Sequence, residues 1–368
     1  MTGALDGLLI ADFGRVLAGP YATMMLADLG AEVVKVEQPG TGDDTRTWGP
    51  PFDERGVATY YLSVNRNKRS EALDLRAADD LASAKELAGR ADVVVENFLP
   101  GGMDRLGLGY DAVRAVNPGV VYCSITGFGQ HSALAGYDLL VQAVGGLMSM
   151  TGPAPGEPIR AGVAVVDVLT GLHATVGILA AVRHRDRTGE GQRVDVDLMS
   201  CLLSSLVNQS SGYLLAGTVP QAMGNRHPSL VPYEVFAARD KPLVIACGND
   251  RQFRCLTSVL AREDLAQDER YATNTARVNN RDELVPLLNT LLRSADAADW
   301  AARMSAVGVP AGPVNNLAEA FVYAQTQGLT PVVDCDGVAQ VANPIRLSKT
   351  PVAYRSAPPV LGGSGTSA

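Results

Sequence analysis

The chain of 368 residues is poor in several features that would decide its class at once. Aromatic residues make up only 5% of it, and its five cysteines (Cys123, Cys201, Cys247, Cys255, Cys335) form no C-x-x-C pair. That spacing argues against a zinc site and reads as free thiols in a reducing cytoplasm. The four histidines (His131, His173, His184, His227) show no H-E-x-x-H spacing, so no metal centre is expected. A G-x-S-x-G nucleophile elbow is missing. Positive charge is scarce: 31 Lys and Arg against 39 Asp and Glu leave a net −8, which argues against nucleic acid or an anionic membrane as the main partner. A local basic pocket for a small anion remains compatible with that balance. No uninterrupted apolar stretch reaches about eighteen residues, so no membrane span is expected. Met1 to Gly7 lacks the basic start and apolar core of a signal peptide.

What is present is an α/β mix, 46% apolar and rich in Ala, Val, Leu and Gly. Leu8 to Asp12 reads as a strand. Gly14 to Pro20 is a turn whose proline opens a helix over Tyr21 to Leu29, and Glu32 to Val36 is a second strand. This β-α-β unit predicts a parallel sheet. Further strands are expected at Asp92 to Glu96, Val120 to Ile125 and Arg193 to Leu198, with a short one at Ala72 to Leu75 after the basic turn Asn67-Lys68-Arg69-Ser70. Asp138 to Met150 and Val166 to Arg185 read as helices. Past Ser200 the pattern changes. The expected organisation is a large domain over 1–200, a linker over 201–225, a small domain over 226–315, and a segment over 316–368 that returns to the large domain. From Ala357 the chain is Pro/Gly/Ser-rich and is expected to be loose.

The first β-α-β unit invites a dinucleotide-binding reading, but its loop is G-R-V-L-A-G-P rather than G-x-G-x-x-G. Arg15 and Leu17 fill the space that glycines would leave for a pyrophosphate. Asn97-Phe98-Leu99-Pro100-Gly101 follows a strand's carboxyl end, where open α/β sheets bind ligands. Asn97 is a candidate hydrogen-bond partner for a base and Phe98 a candidate apolar wall. Asp167 stands in the apolar run Ala161 to Val168. It is either an ordinary acidic residue in a helix's first turn or a carboxylate kept ionised in a dry site as a nucleophile. Gly162, Ala164 and Gly171 leave room beside it.

Taken together, Asp12 to Pro20, Gly30 to Glu37, Asn67 to Ser70, Val95 to Gly101, Gly136-Tyr137-Asp138, Asp167 and Gly248 to Phe253 resemble the class III coenzyme A transferases, a family that includes formyl-CoA transferase, carnitine CoA-transferase and α-methylacyl-CoA racemase. The resemblance implies a large Rossmann-like domain with a parallel sheet, a smaller α+β domain and an interlocked homodimer. It implies transfer of CoA from an acyl-CoA to a free carboxylic acid, with Asp167 forming first a mixed anhydride and then an aspartyl-CoA thioester. CoA and acyl-CoA are then substrates, and no cofactor is held permanently. By the same resemblance Val16, Asn97, Phe98, Arg105 and Tyr137 line the CoA groove, with Lys68, Arg69 and Leu73 near the adenosine phosphates.

Leu17 and Gln38 stand where the formyl-CoA enzymes carry Gln and Arg, which points away from a formyl/oxalate pair; His227 is a candidate for the acceptor pocket. Tyr137 replaces the histidine of the racemase branch, and a phenol with an ordinary pKa near 10 is a poor proton shuttle. Transfer with succinyl-CoA or another dicarboxylic acid is the expected activity, against racemisation of a 2-methylacyl-CoA or CoA binding without catalysis.

Overall fold

Short β-branched runs alternate with helices through the first half of the chain, and in the computed structural model, which describes residues 3–363, they build one parallel sheet. Its strands are β1 (Leu9–Asp12), β2 (Glu32–Glu37), β3 (Lys68–Ala72), β4 (Val93–Glu96), β5 (Val121–Thr126) and β6 (Gln192–Asp197). Their order is β3-β2-β1-β4-β5-β6, with Ile10 of β1 opposite Val33 on one side and Val93 on the other. This is the doubly wound order of Rossmann folds.

Parallel strands need apolar cover on both faces, and the alternation of side chains along β1 supplies it. Ile10 faces a core built with the helices Ala18–Asp28 and Val165–Thr188, whereas Ala11 faces one built with the helices Ala78–Arg90 and Tyr110–Val116. The helix Val165–Thr188 is long and apolar enough to cross a membrane by length and composition. The sequence reading had it as a helix over Val166 to Arg185. Here it is a core helix, with Val166, Ala174, Ile178 and Ala181 buried against the sheet and the first helix.

The chain falls into two compact units. One comprises the chain up to Met148, Arg160–Pro220 and the chain from Thr330 on; the other comprises Ser149–Ile159 and Gln221–Leu329. The second unit holds an antiparallel sheet of β7 (Tyr233–Ala237), β8 (Pro242–Ala246) and β9 (Ala311–Pro313), covered by helices that include Asp250–Val259, Arg281–Leu292 and Ala297–Ala306. Phe236, Ile245, Phe253, Leu284 and Trp300 form its core. Its bounds are wider than the 226–315 read from the sequence, and it also takes in 149–159. Residues 201–220, read as part of a linker, belong to the first unit and form helices Leu198–Ser205 and Asn208–Ala216. The segment expected as one helix over 138–150 is two, Asp138–Val144 and Leu147–Met150, separated by Gly145 and Gly146.

The returning segment carries the hairpin β10 (Val332–Cys335) and β11 (Val338–Val341). The start of the tail is not loose. Ala357 is buried and Ser70 N donates to Gly363 O at 3.0 Å. Residues 364–368 of that expectation lie outside the described residues.

Candidate active site

Strand order reverses between β1 and β4, and the loops leaving their carboxyl ends diverge to open a crevice. The loop after β1 is pinned through its own backbone. Gly14 N donates to Asp12 Oδ1 at 2.9 Å, Arg15 N to Asn97 Oδ1 at 2.8 Å, and Val16 N to the Asp43 carboxylate at 3.3 and 3.4 Å. Asn97 Nδ2 in turn donates to Arg15 O at 2.7 Å. The Asn97 amide thus bonds the protein through both its oxygen and its nitrogen, and Asn97 and Phe98 both line the crevice. Val16 has φ +67°, a left-handed conformation costly for a β-branched residue by about 1–3 kcal/mol. Its hydrogen bond to Asp43 holds it there.

Buried charges lie beneath the loop. Lys35 Nζ sits 2.9 Å from Asp43 Oδ2 and donates to Gly14 O at 2.7 Å. Burial alone would raise Asp43; Lys35 and hydrogen bonds from Thr45 outweigh it and hold the carboxyl below its usual range. Lys68 Nζ donates to Asp12 Oδ2, Pro20 O and Asn65 Oδ1 at 3.1, 2.8 and 3.0 Å. Its side chain is wholly buried, and that burial pushes it down to about 8 against the pull of Asp12. The Asn67–Ser70 run is thus the edge of a strand and not a solvated turn, and Lys68 cannot reach a phosphate. Arg69 pairs with Glu71 and with Glu32 and lines neither of the two clefts. A strand was expected four residues later, and that offset hid the inward orientation of Lys68.

Val16, Leu17, Asn97, Phe98, Arg105, Tyr137 and Asp167 line one cleft of about 440 Å³. A second cleft of about 330 Å³ shares Arg15 and Phe98 with it and holds Gln38 and Leu73. His227 lies in the second unit, where Nδ1 accepts from Ser229 N at 3.0 Å and the ring lies tilted against Tyr233 at 5.0 Å. The Gly248–Phe253 motif is there too, and its Asn249 caps the helix Asp250–Val259 by accepting from Gln252 N at 3.0 Å. Gly136 is required by contact: a Cβ there would meet Gly127 Cα at 2.2 Å, so the loop that carries Tyr137 lies directly on the end of β5. Gly171 does not make room for a substrate, because a Cβ there would meet Ala18 O at 2.8 Å in the packing of two helices; Gly162 faces open space.

Asp167 lies in the first turn of the helix Val165–Thr188. Asp138 Oδ1 already accepts from Val166 N at 2.8 Å and Asp167 N at 3.2 Å. Gln142 Nε2 steadies Asp138 at 2.6 Å. A second carboxylate therefore occupies the helix end that would have kept Asp167 ionised. Burial first, and then the charge of Asp138, raise Asp167 from 3.8 to about 7. No described residue hydrogen-bonds its carboxylate. Tyr60 packs nearby, pushed up to about 12 by burial and then by Asp167, with Trp48 edge-on at 5.7 Å.

A half-buried carboxylate without hydrogen-bond partners, poised near neutrality and open to a cleft, can act as a nucleophile or as a base. Among the described residues no group of three or more His, Cys, Asp or Glu side chains is placed to hold a metal. Sequence reasoning missed Asp138, Arg15 and Tyr60 as members of this site. Asp138 was visible in the Gly136-Tyr137-Asp138 motif. Its role was not, because it caps a helix that starts far along the chain from it.

A family model described as CoA-transferase family III matches residues 5–364. A succinate–glutarate CoA-transferase of Agrobacterium fabrum is 43% identical over 97% of this chain and 93% of its own length. A succinyl-CoA:glutarate CoA-transferase of Mus musculus is 43% identical over 97% of this chain and 84% of its own. The crystal structure of a CAIB/BAIF family protein from Brucella suis superposes with a TM-score of 0.90 at 43% identity, covering 98% of this chain and 97% of that one.

Proposed function

The chain belongs to CoA-transferase family III and is a CoA-transferase; from that premise we propose that it moves CoA from succinyl-CoA, or another dicarboxylyl-CoA, to a free dicarboxylic acid, with Asp167 as the carrier. A carboxylate oxygen of Asp167 attacks the thioester carbonyl. The C–S bond breaks, CoA leaves as the thiolate, and a mixed anhydride joins Asp167 to the donor acyl group. The thiolate then attacks the Asp167 carbonyl carbon and releases the donor acid, leaving an aspartyl-CoA thioester. The acceptor carboxylate runs the same steps in reverse and departs as its CoA thioester. No net proton is gained or lost, so the chemistry needs an ionised carboxylate and a site that excludes water from the anhydride.

The observation that carries this reading is the Asp167 carboxylate, without partners, in the cleft that also gathers Val16, Phe98, Arg105 and Tyr137. A homodimer belongs to the same proposal, interlocked as the family resemblance implies. It is supported by the helix Asn208–Ala216, which buries none of its residues in the chain and leaves Leu214 77% and Leu215 87% exposed. Such an apolar face marks an interaction surface.

Two measurements test the proposal. In an exchange screen, wild-type enzyme with succinyl-CoA should form glutaryl-CoA from glutarate faster than the corresponding thioesters from monocarboxylic acids or oxalate. Preference for a monocarboxylic acid would reject the substrate class. Deuterium appearing at the α-carbon of a 2-methylacyl-CoA, without exchange, would instead favour a racemase. In the second test, kcat/KM for succinyl-CoA should rise about fifty-fold between pH 5 and pH 7 and level off above, because the ionised fraction of a group at about 7 climbs tenfold per pH unit below that value. A flat profile over that range would mean an Asp167 with an ordinary carboxylate pKa.

A further inference from the structure

In dinucleotide folds of this strand order, a pyrophosphate is held by backbone N–H groups of the loop after β1. Here the first three N–H groups of that loop, those of Gly14, Arg15 and Val16, already donate to Asp12, Asn97 and Asp43. A phosphate beside Arg15 is therefore met by its side chain rather than by these N–H groups. The cationic groups on the two clefts are few. Lys35 is wholly buried and held by Asp43 and Gly14 O, and Arg76 is engaged by Asp74 at 2.9 and 3.2 Å. Arg105 lines the cleft of Asp167 alone. Among the described residues Arg15 is the one cation on both. Its side chain is 55% exposed, leans over the Phe98 ring at 5.7 Å and meets Asp44 only at 3.4 Å, a weak exposed contact. Its main chain, by contrast, is fixed at both ends by the Asn97 amide.

We infer that Arg15 is the diphosphate-binding residue of this enzyme, holding the 5′-diphosphate of CoA on the wall between a cleft for the adenosine and the cleft where the thioester meets Asp167. The assignment rests on the proposed function, since only a ligand with an adenosine at one end and a thioester at the other would span both clefts. Guanidinium suits the task through its fork of donors and its fixed charge. The contact with Asp44 is exchanged for the phosphate when the ligand arrives.

The test is calorimetric titration of wild type, Arg15→Ala and Arg15→Lys with CoA, 3′-dephospho-CoA and pantetheine. Arg15→Ala should bind both nucleotides about tenfold or more weakly and pantetheine unchanged, as for loss of a charge-assisted hydrogen bond. Arg15→Lys should recover part of the loss. The slope of log K against log salt should also be shallower in Arg15→Ala. Three results would overturn the assignment: unchanged CoA affinity; equal weakening for pantetheine, which would mean a collapsed loop; or a loss that vanishes with 3′-dephospho-CoA, which would place the 3′-phosphate at Arg15. Wild type that fails to bind CoA at all would instead reject the proposed function.

Discussion

Asp167→Asn is expected to lower CoA exchange by at least a thousandfold and, at pH 8, to make the protein more stable. The first effect follows from the proposed chemistry. An amide oxygen is a far weaker nucleophile than a carboxylate and cannot form the anhydride, so what remains is binding and positioning. Hydroxylamine added during turnover of wild type should mark residue 167 and no other, and mass spectrometry of the peptide that carries it reads the result. Marking at a different residue, or near-normal exchange by the variant, would remove Asp167 from the reaction.

The stability effect has a definite sign. Folding raises Asp167 from 3.8 to about 7, so between those values the native chain holds a proton that the unfolded chain has released. The group's contribution is intact below pH 4 and is lost as pH climbs through 7. Above that, keeping the carboxylate ionised against burial and Asp138 costs the fold on the order of 2–4 kcal/mol. Asparagine removes the charge and with it this cost. Denaturant unfolding at pH 8 should show the variant ahead of wild type, and at pH 4 the two should coincide. A site that sacrifices stability for reactivity behaves in this way; equal stability at both pH values would mean that Asp167 is not held in the strained ionisation that the geometry implies.

The sheet was legible because its cause is local. Val33, Val94 and Val121 lie in short β-branched runs between turn signals, and such runs in series with helices leave few topologies open. The cleft was legible in part, since Asp167, Tyr137 and Phe98 stand at ends of elements, where a sequence shows its punctuation. The errors share another origin. Lys68 looked solvated because lysine usually is, yet Asp12 at the end of another strand supplies its counter-charge and makes burial tolerable. Asn97 was legible as a strand-end residue, but not its bond to the backbone of Arg15, 82 residues earlier. The helix end that would stabilise an ionised Asp167 is taken by Asp138, which accepts from the N–H groups of Val166 and Asp167. In each case the deciding partner comes from a distant part of the chain, and no local pattern encodes it.

The same kind of long-range partnership governs the second large expected effect, at Asp28. This residue ends the first helix and is wholly buried. Arg66 donates to it through Nε at 3.0 and 3.2 Å and through Nη2 at 2.6 Å, while Asn67 and Asn343 donate at 2.8 and 2.9 Å. One carboxylate thus ties together the first helix, the approach to β3 and the returning segment. Arg66 also reaches Val341 O at 2.9 Å. Asp28→Ala would leave a guanidinium buried without its counter-ion and two amides short of an acceptor, which costs about 3–5 kcal/mol. Asp28→Asn keeps the shape and part of the bonding and should lose less. The loss should also be local before it is global. Freed from Asp28, the returning segment should open more often, so trypsin should cut after Arg346, Lys349 and Arg355 well before the rest of the chain, whereas in wild type Arg355 is held by the carbonyls of Ala27, Gly30 and Ala31. A double replacement, Asp28→Leu with Arg66→Met, should recover much of the stability lost in Asp28→Ala, because removing both charges leaves neither one stranded. If the double variant were as unstable as the single one, the carboxylate would matter through the two asparagines rather than through Arg66, and the hub would have to be redrawn around Asn67 and Asn343.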